Sequence, residues 1–325
     1  MDKIAAEVDK FHNGAKAFAS LKKPKDVEAW QEVVVHDEKR KEISDTAAAA
    51  ARIATHFGSL FNAPETMPIQ SFEGEPRPLH KSIEAEDVEK AIKKLKNRKA
   101  VGPDELPTEL LKAAGGEGAK FVADVLNASF SKHEALGVGE GTLAAIQKPG
   151  KPKGPLGSLR PLVLLTALRK TLSLVTLERA REKFELYLSA SHAAFRKGRS
   201  TSDIVWAHRW LAAKAIRYRK TLHVLGLDMS RAFDTIDRGR LMNILRDEVC
   251  LHEDELRMCQ MLLADTNLKV KLKEAVSEPF ETTIGTPQGD GLSPILFAVY
   301  FECAVRDIWG PCLHGHYAIL NSLRK

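Results

Sequence analysis

The sequence predicts an α+β fold, in which several amphipathic helices accompany a small number of strands. Apolar residues recur at helical spacing over most of the chain, and two segments, near 143–165 and 267–285, carry strand patterns joined by turns. A content of 44% hydrophobic residues in a chain of 325 residues is enough for a sizeable core. No apolar run approaches the roughly 20 residues that a membrane helix needs. The chain is therefore expected to be globular, with no membrane as partner.

The N-terminal part predicts a helical extension over residues 1–64. Ser44 or Asp45 is a candidate N-cap, and an alanine-rich run with apolar residues on one face follows it. Residues 65–84, rich in proline and glutamate, are expected to form a linker. The opening stretch MDKIAAEVDKFHNG contains early acidic residues and no apolar run of the secretory type, so an intracellular location is expected.

Helices are predicted on both sides of a strand pair after the linker. Val88, Ile92 and Leu95 lie at helical spacing, and a second helix is expected over 120–133. The stretch LAAIQKPGKPKGPLGSLRPLVLL then predicts a strand, a basic loop rich in proline and glycine, and an apolar return strand.

Two longer helices are predicted next, over residues 166–187 and 201–220. The side chains expected to be buried in the first are Leu172, Val175 and Leu186. The second carries Trp206 and Trp210 one helical turn apart. The basic turn FRKGRSTSD lies before it and supplies good N-cap residues.

The segment HVLGLDMSRAFDTID predicts a buried strand that ends in a carboxylate. Residues 223–227 form an apolar run of strand length, and Asp228 follows directly. Asp234 is expected to cap or brace the helix that RGRLMNILRDEV predicts, rather than to bind metal. The stretch NLKVKLKEAVSEPFETTIG alternates apolar and polar residues around a turn, which indicates a β-hairpin.

Positive charge is concentrated in one part of the chain. The formal net charge is +6, yet the stretch from Leu143 to Lys220 contains 17 Lys or Arg residues against 4 acidic residues. A dense basic block is typical of a surface that follows phosphates, and a solvated helical face is the alternative. Nucleic acid is the favoured partner.

A carboxylate held at the end of a strand is well placed to bind a divalent metal. Two such carboxylates on neighbouring strands hold paired Mg²⁺ ions for phosphoryl transfer. The stretch GTPQGDGLSPILF adds a glycine-rich turn that opens a helix at Ser293, where backbone approaches a phosphate or base pair closely. Each pattern alone is shared by many phosphatases and nucleotide-binding folds, so neither identifies a reaction by itself.

Five motifs in order resemble the reverse transcriptase domain of non-LTR, LINE-like retrotransposons and, more remotely, group II intron enzymes. They are KAVGPDELPTELL, IQKPGKPKGPLGSLRPLVLL, AFRKGRSTSDIV, LDMSRAFDTID and GTPQGDGLSPILF, within residues 85–308. The resemblance implies DNA synthesis on an RNA template by two-metal nucleotidyl transfer, with Mg²⁺ as cofactor. It implies an RNA template, a DNA primer and deoxynucleoside triphosphates as partners, and a nuclear location.

The same resemblance implies a right-hand polymerase architecture. Fingers-like residues would span 85–220, a partial palm 221–310 and a divergent tail 311–325. The residues implied at the catalytic metal are Asp228 and the backbone carbonyl of Met229. Those implied at the nucleotide are Arg160, Phe233, Gln288 and Gly289, with Phe233 excluding a ribose 2′-hydroxyl. Those implied on template or primer phosphates are Lys148, Lys151, Lys153, Arg196, Lys197 and Arg199.

Some of these residues have a structural alternative. Phe233 could be a core aromatic, and Arg160 could be an ion-pair partner. The family's second metal motif, an aromatic-Ala-Asp-Asp hairpin, is expected to be missing, because the sequence contains no Asp-Asp pair. The sequence therefore predicts a truncated, inactive reverse-transcriptase-like domain. Two alternatives are a catalytically dead nucleic-acid-binding module and a degraded retroelement fragment.

Overall fold

The structure is a computed structural model, and it combines helices with a mixed sheet in an α+β fold, as the sequence predicts. It describes residues 33–309 except 64, 65, 68, 70–75, 133, 135, 225, 227, 230 and 265. These residues fall into two compact units, one of residues 33–43 and 146–160 and the other of 44–145 and 161–309. None of the helices in the described ranges has the length and apolarity that crossing a bilayer requires.

The described part of the chain contains nine α-helices and five strands. The helices are α1 (Thr46–Leu60), α2 (Ala85–Lys94), α3 (Thr108–Ala113), α4 (Gly115–Lys132), α5 (Ala167–Tyr187), α6 (Thr201–Arg217), α7 (Arg238–Asn243), α8 (Glu253–Leu263) and α9 (Ser293–Trp309). The strands are β1 (Glu140–Gln147), β2 (Leu159–Leu165), β3 (Thr266–Leu272), β4 (Ala275–Val276) and β5 (Phe280–Thr282). A 3-10 turn (Leu156–Ser158) precedes β2, and a π-helical stretch (Ile244–Glu248) extends α7.

The sheet has the strand order β2-β1-β3-β4, and β5 pairs with β3. Strands β1 and β3 run parallel, with Glu140 opposite Asn267 and Leu143 opposite Val270. Strand β3 pairs antiparallel with both β4 and β5. The strand-loop-strand pattern and the hairpin expected from the sequence are thus both confirmed.

The segment before α1 differs from the sequence prediction. Asp45 is the N-cap of α1, because its carboxylate accepts hydrogen bonds from the N–H groups of Ala47 and Ala48. The helical prediction is wrong for residues 33–43, where Val35 forms a β-bridge with Gly154 and a turn follows. The rest of the predicted extension, residues 1–32, lies outside the described residues.

The helical core follows the predicted periodicity with one exception. Val88 and Ile92 on α2 are buried where that helix packs on α4 and α5. Leu172 and Val175 on α5 are also buried. Leu186 is 79% exposed instead, because the buried face at this end of α5 is formed by its neighbours Phe184 and Tyr187.

The predicted buried strand before Asp228 is wrong over the residues that the structure describes. Residues 221–224, 226, 228 and 229 form no strand, and Val224 is 65% exposed. A strand becomes buried only when other strands satisfy its backbone and cover its side chains. The described sheet contains no strand paired with this segment, and the described apolar residues Leu222 and Val224 are exposed.

Candidate functional site

The candidate site is built around the glycine loop, which we define as residues 285–291 between β5 and α9. The N–H of Gly285 donates to the carbonyl of Ile236 over 2.7 Å, and the N–H of Thr286 donates to the carbonyl of Phe233 over 2.8 Å. A β-bridge between Asp237 and Ile284 extends this contact. The loop is therefore fixed against the turn that carries the motif LDMSRAFDTID.

Gln288 is held from both its side chain and its backbone. Its Nε2 donates a hydrogen bond of 2.9 Å to Oδ1 of Asp234. Its carbonyl accepts a hydrogen bond of 2.9 Å from the N–H of Val163 on β2. The amide side chain is thus oriented toward the carboxylate, and the loop backbone is anchored to the sheet.

Asp234 does not cap the following helix, as the sequence pattern had suggested it could. Asp237 is the N-cap of α7, and its Oδ1 accepts the N–H of Arg240 over 2.8 Å. The carboxylate of Asp234 braces the glycine loop by accepting a hydrogen bond from Gln288. The capping role thus belongs to Asp237.

Two glycines in the loop occupy positions that a side chain would not fit. Gly285 has φ +78°, and a Cβ there would lie 2.9 Å from the carbonyl oxygen of Asp234. Gly289 has φ +125°, and a Cβ there would lie 2.7 Å from the carbonyl oxygen of Val163. Positive φ together with backbone contact this close requires glycine. These two residues set the close approach of the loop to β2 and to the preceding turn.

A buried ion pair secures the far end of the glycine loop. Arg169 Nε lies 3.0 Å from Asp290 Oδ2, and the two side chains are only 1% and 3% exposed. The other nitrogens of Arg169 donate to the carbonyls of Val138 and Leu262. Since the guanidinium and the carboxylate are both removed from water, breaking this pair would leave a buried charge without its partner.

A second buried arginine secures the near end of the loop. Arg238 is 4% exposed, and its Nε donates to the carbonyl of Gly285 over 2.8 Å. Its remaining hydrogen bonds go to neutral acceptors, namely Leu263 O, Thr266 Oγ1, Thr282 O, Thr282 Oγ1 and Ile284 O. Burial, and then the positive charge of Arg169, lower the pKa of Arg238 to about 9. An arginine guanidinium nevertheless stays protonated in proteins, so a cation lies beneath the loop.

Sequence reasoning did not identify Arg169 or Arg238 as part of the site. Arg169 follows the apolar return strand, and Arg238 directly follows the motif LDMSRAFDTID. The sequence signal for such a buried arginine is a charged residue at the edge of a predicted core segment. This signal is weak, because an arginine on the surface gives the same pattern.

Phe233 belongs to a small aromatic cluster. Its ring lies 5.2 Å from the ring of Phe297 on α9 and 6.4 Å from the ring of Phe195, measured between centroids. The side chain is half-buried. Such a position suits both the predicted role beside a nucleotide and the alternative of a core aromatic.

The described residues do not supply a complete Mg²⁺ site. Asp228 is exposed on the segment without strand structure, and the side chain of its neighbour Met229 is 53% exposed. Within the described ranges no three His, Cys, Asp or Glu side chains are close enough to hold a metal ion. A paired-metal centre needs more carboxylate ligands than Asp228 alone.

The predicted phosphate-binding residues differ in how free their side chains are. In the unit of residues 33–43 and 146–160, Lys151 and Lys153 are exposed, while Lys148 Nζ donates to the carbonyl of Gly157. Arg160, predicted at the nucleotide, is also exposed. In the other unit, Lys197 and Arg199 are exposed.

Arg196 has structural partners instead. Its guanidinium pairs with Glu185 at 2.7 Å, donates to the carbonyls of Ser189 and His192, and is only 7% exposed. Of the three basic residues in FRKGRST, the structure therefore leaves Lys197 and Arg199 available for phosphates.

A mixed α+β fold with a glycine loop fixed on an acidic turn is compatible with a polymerase-like domain. A family model described as reverse transcriptase (RNA-dependent DNA polymerase) matches residues 146–318, more than half of the sequence. The chain therefore belongs to the reverse transcriptase family.

Three similar proteins come from transposable elements of Drosophila. The chain is 26% identical over 227 residues to the probable RNA-directed DNA polymerase from transposon BS of Drosophila melanogaster, covering 68% of this chain and 24% of that protein. It is 26% identical over 223 residues to the corresponding X-element protein of the same species, covering 66% and 24%.

The RNA-directed DNA polymerase from mobile element jockey of Drosophila funebris is 23% identical over 267 residues, covering 78% of this chain and 28% of that protein. The expected resemblance to non-LTR reverse transcriptases is thus confirmed. The chain spans about a quarter of the length of these relatives.

Proposed function

We propose that this chain holds the template, the primer and the incoming nucleotide of an RNA-directed DNA polymerase, and that as this polypeptide it does not join nucleotides. The observation that carries the proposal is the hydrogen bond between Gln288 and Asp234. It fixes the glycine loop against the motif LDMSRAFDTID, and these are the two motifs that the family resemblance places nearest to the nucleotide. A preformed, rigid loop favours binding because little ordering entropy is lost.

Nucleic-acid binding is supported by the distribution of exposed positive charge. Lys197 and Arg199 extend from one unit, while Lys151, Lys153 and Arg160 extend from the other. Each of them is free to replace counterions on a phosphate backbone. The proposed partners are an RNA template, a DNA primer and deoxynucleoside triphosphates, and the proposed location is the nucleus.

The inactivity of this polypeptide is supported by its carboxylates. In two-metal transfer, paired ions are shared between acidic side chains. Asp228 is exposed on a segment without strand pairing, and the sequence contains no Asp-Asp pair that could complete the set.

The experiment combines binding with primer extension. A labelled RNA–DNA hybrid is titrated with the chain at several salt concentrations, and extension is measured with Mg²⁺ and deoxynucleotides. We expect salt-dependent binding, a shallower salt dependence for Lys197→Ala and Arg199→Ala, and no extension. An Asp228→Asn variant serves as the control for catalysis.

Each contrary result has a defined meaning. Metal-dependent extension that Asp228→Asn abolishes would show that the chain is an active polymerase. Absence of hybrid binding by a chain that unfolds cooperatively would remove the binding role. A chain that neither unfolds cooperatively nor binds the hybrid would support the alternative of a degraded retroelement fragment.

A further inference from the structure

Helix α6 presents large aromatic side chains to solvent. It buries none of its residues, and Trp206 is 67% exposed. The rings of Trp206 and Trp210 stack with centroids 6.2 Å apart and planes inclined by 18°. The Nζ of Lys214 lies 4.0 Å from the centroid of the Trp210 ring. The three side chains form a ladder along one side of the helix, with a cation at its end.

The charge around this ladder is strongly positive. Between residues 201 and 220 the only acidic residue is Asp203, whose carboxylate accepts the N–H of Ser200 in a capping box. The basic residues in the same stretch are Arg209, Lys214, Arg217, Arg219 and Lys220. The exposed residues Lys197 and Arg199 precede the helix. Two copies of so basic a face would repel each other, whereas a polyanion would be attracted.

Aromatic planes combined with positive charge are suited to one kind of polyanion in particular. Bases of a single strand offer free faces that stack on aromatic side chains, while lysine and arginine contact the phosphates. In a duplex those faces are already occupied by neighbouring bases. The combination of Trp206, Trp210 and Lys214 therefore favours an unpaired strand over a duplex.

We propose that α6 is a binding face for single-stranded nucleic acid, with a base stacking on the face of Trp206 that Trp210 leaves uncovered and with Lys214 beside a phosphate. The inference rests on the proposed function, since it adds the unpaired part of the template to the ligands of this domain. It assigns a role to two tryptophans that no motif of the family resemblance includes.

The test uses the whole chain and a labelled oligouridylate of roughly 10 nucleotides, within the usual range of single-strand site sizes. We expect Trp206→Ala to weaken binding roughly tenfold, because one stacking contact is lost. Trp206→Phe retains an aromatic plane and should recover most of the affinity. Lys214→Ala should make the negative slope of log K against log salt shallower by about 0.7, the value for one phosphate contact on a single strand.

Ile216→Ala is the matched control. Ile216 is also on α6 and is 79% exposed, but it has no ring. Its replacement should leave the affinity unchanged. Because Trp206 and Ile216 are exposed and Lys214 is only half-buried, urea unfolding should show all variants to be about as stable as the parent chain.

Two results would overturn the inference. One is an unchanged affinity of Trp206→Ala for the oligouridylate. The other is a dimer in light scattering that Trp206→Ala converts to a monomer, which would make this face a contact between copies. The hybrid titration, run in parallel, separates the two proposals. If the parent chain does not bind the RNA–DNA hybrid, the proposed function is contradicted. If the chain binds single strands with an affinity that does not depend on Trp206, only this inference is contradicted.

Discussion

Gln288 Nε2 and Asp234 Oδ1 lie 2.9 Å apart and join two parts of the chain that are 54 residues apart in sequence. The amide donates and the carboxylate accepts, so the bond is charge-assisted. It adds to the other contacts that fix the glycine loop, among them the Arg238 bond to Gly285, the buried Arg169–Asp290 pair and the backbone bond from Val163. A change at either motif is therefore expected to affect the other.

Replacement of Gln288 tests this connection. Gln288→Ala removes one partly buried hydrogen bond and should lower the free energy of unfolding by about 1 kcal/mol. Gln288→Glu places a second carboxylate against Asp234, so it should cost more at neutral pH and recover as the pH falls through the carboxyl range. Urea unfolding at two pH values measures both effects. Equal stability of Gln288→Glu and the parent chain at neutral pH would contradict a direct contact between residue 288 and Asp234.

Gly289→Ala tests the close approach of the loop to β2. The new Cβ would lie 2.7 Å from the carbonyl oxygen of Val163 at a φ of +125°. We expect a loss of about 2–3 kcal/mol in thermal or urea unfolding, from strain and from displacement of the loop.

Gly116→Ala is the control for this substitution. Gly116 lies in the first turn of α4, and a Cβ added there would meet no other atom within 4 Å. Its replacement should be neutral or stabilise the chain by up to about 1 kcal/mol, because alanine favours helix. Similar losses at both positions would show that the steric argument is wrong.

The buried pair Arg169–Asp290 should matter far more than an exposed pair of the same length. Asp290→Ala leaves the guanidinium of Arg169 buried without its carboxylate and should cost about 3–5 kcal/mol. The pair Arg240–Asp307 also measures 3.0 Å, but its side chains are 54% and 58% exposed. Asp307→Ala should therefore cost no more than about 1 kcal/mol. Comparable losses in the two variants would contradict the importance given to burial.

Asp254 should make the stability depend on pH. Its side chain is 7% exposed and accepts the N–H groups of His80 and Lys81 over 3.0 and 2.8 Å. Burial alone would raise the pKa of Asp254, but the hydrogen bonds from Lys81 and His80 outweigh burial and hold it below its ordinary value of 3.8. A carboxyl whose pKa is lower in the folded state stabilises the fold above its unfolded pKa, and this contribution is lost as the pH falls through the folded pKa.

Asp254→Asn should therefore cost about 1–2 kcal/mol at pH 7, and the difference should shrink at a pH below the folded pKa. Glu253→Gln is the neighbouring control, because Glu253 pairs with Arg77 at the surface and is 42% exposed. Urea unfolding across the acid range measures both variants. If the difference in free energy of unfolding between Asp254→Asn and the parent chain stays constant with pH, the prediction is contradicted.

Local pattern predicted much of the fold. The helical spacing of Val88 and Ile92 and the turn chemistry of the hairpin lead to elements that the structure contains. Asp45 was one of two candidate caps, and the structure selects it. These features depend on neighbours within a few residues, so the sequence carries the information directly.

Features that depend on distant partners were not predictable in the same way. The apolar run at 223–227 has the composition of a buried strand, but burial requires a neighbouring strand that local pattern does not reveal. Leu186 fits the helical period, yet the face of α5 that becomes covered is decided by the elements packed on it. The partners of Asp234 and Arg238 lie tens of residues away in the sequence, so only the folded chain brings them together.

The pairing of β1 with β3 has a consequence for the order in which the chain folds. Glu140 lies opposite Asn267 in a parallel arrangement, so the centre of the sheet forms only after the intervening helices have been brought together. Contacts between residues so distant in sequence carry a large loop-closure entropy and slow the folding of the domain. Helices α2 and α4, which are near neighbours in sequence and pack on each other, are expected to associate first. The glycine loop rests on this sheet through Val163, and it is therefore expected to reach its final conformation among the last parts of the chain.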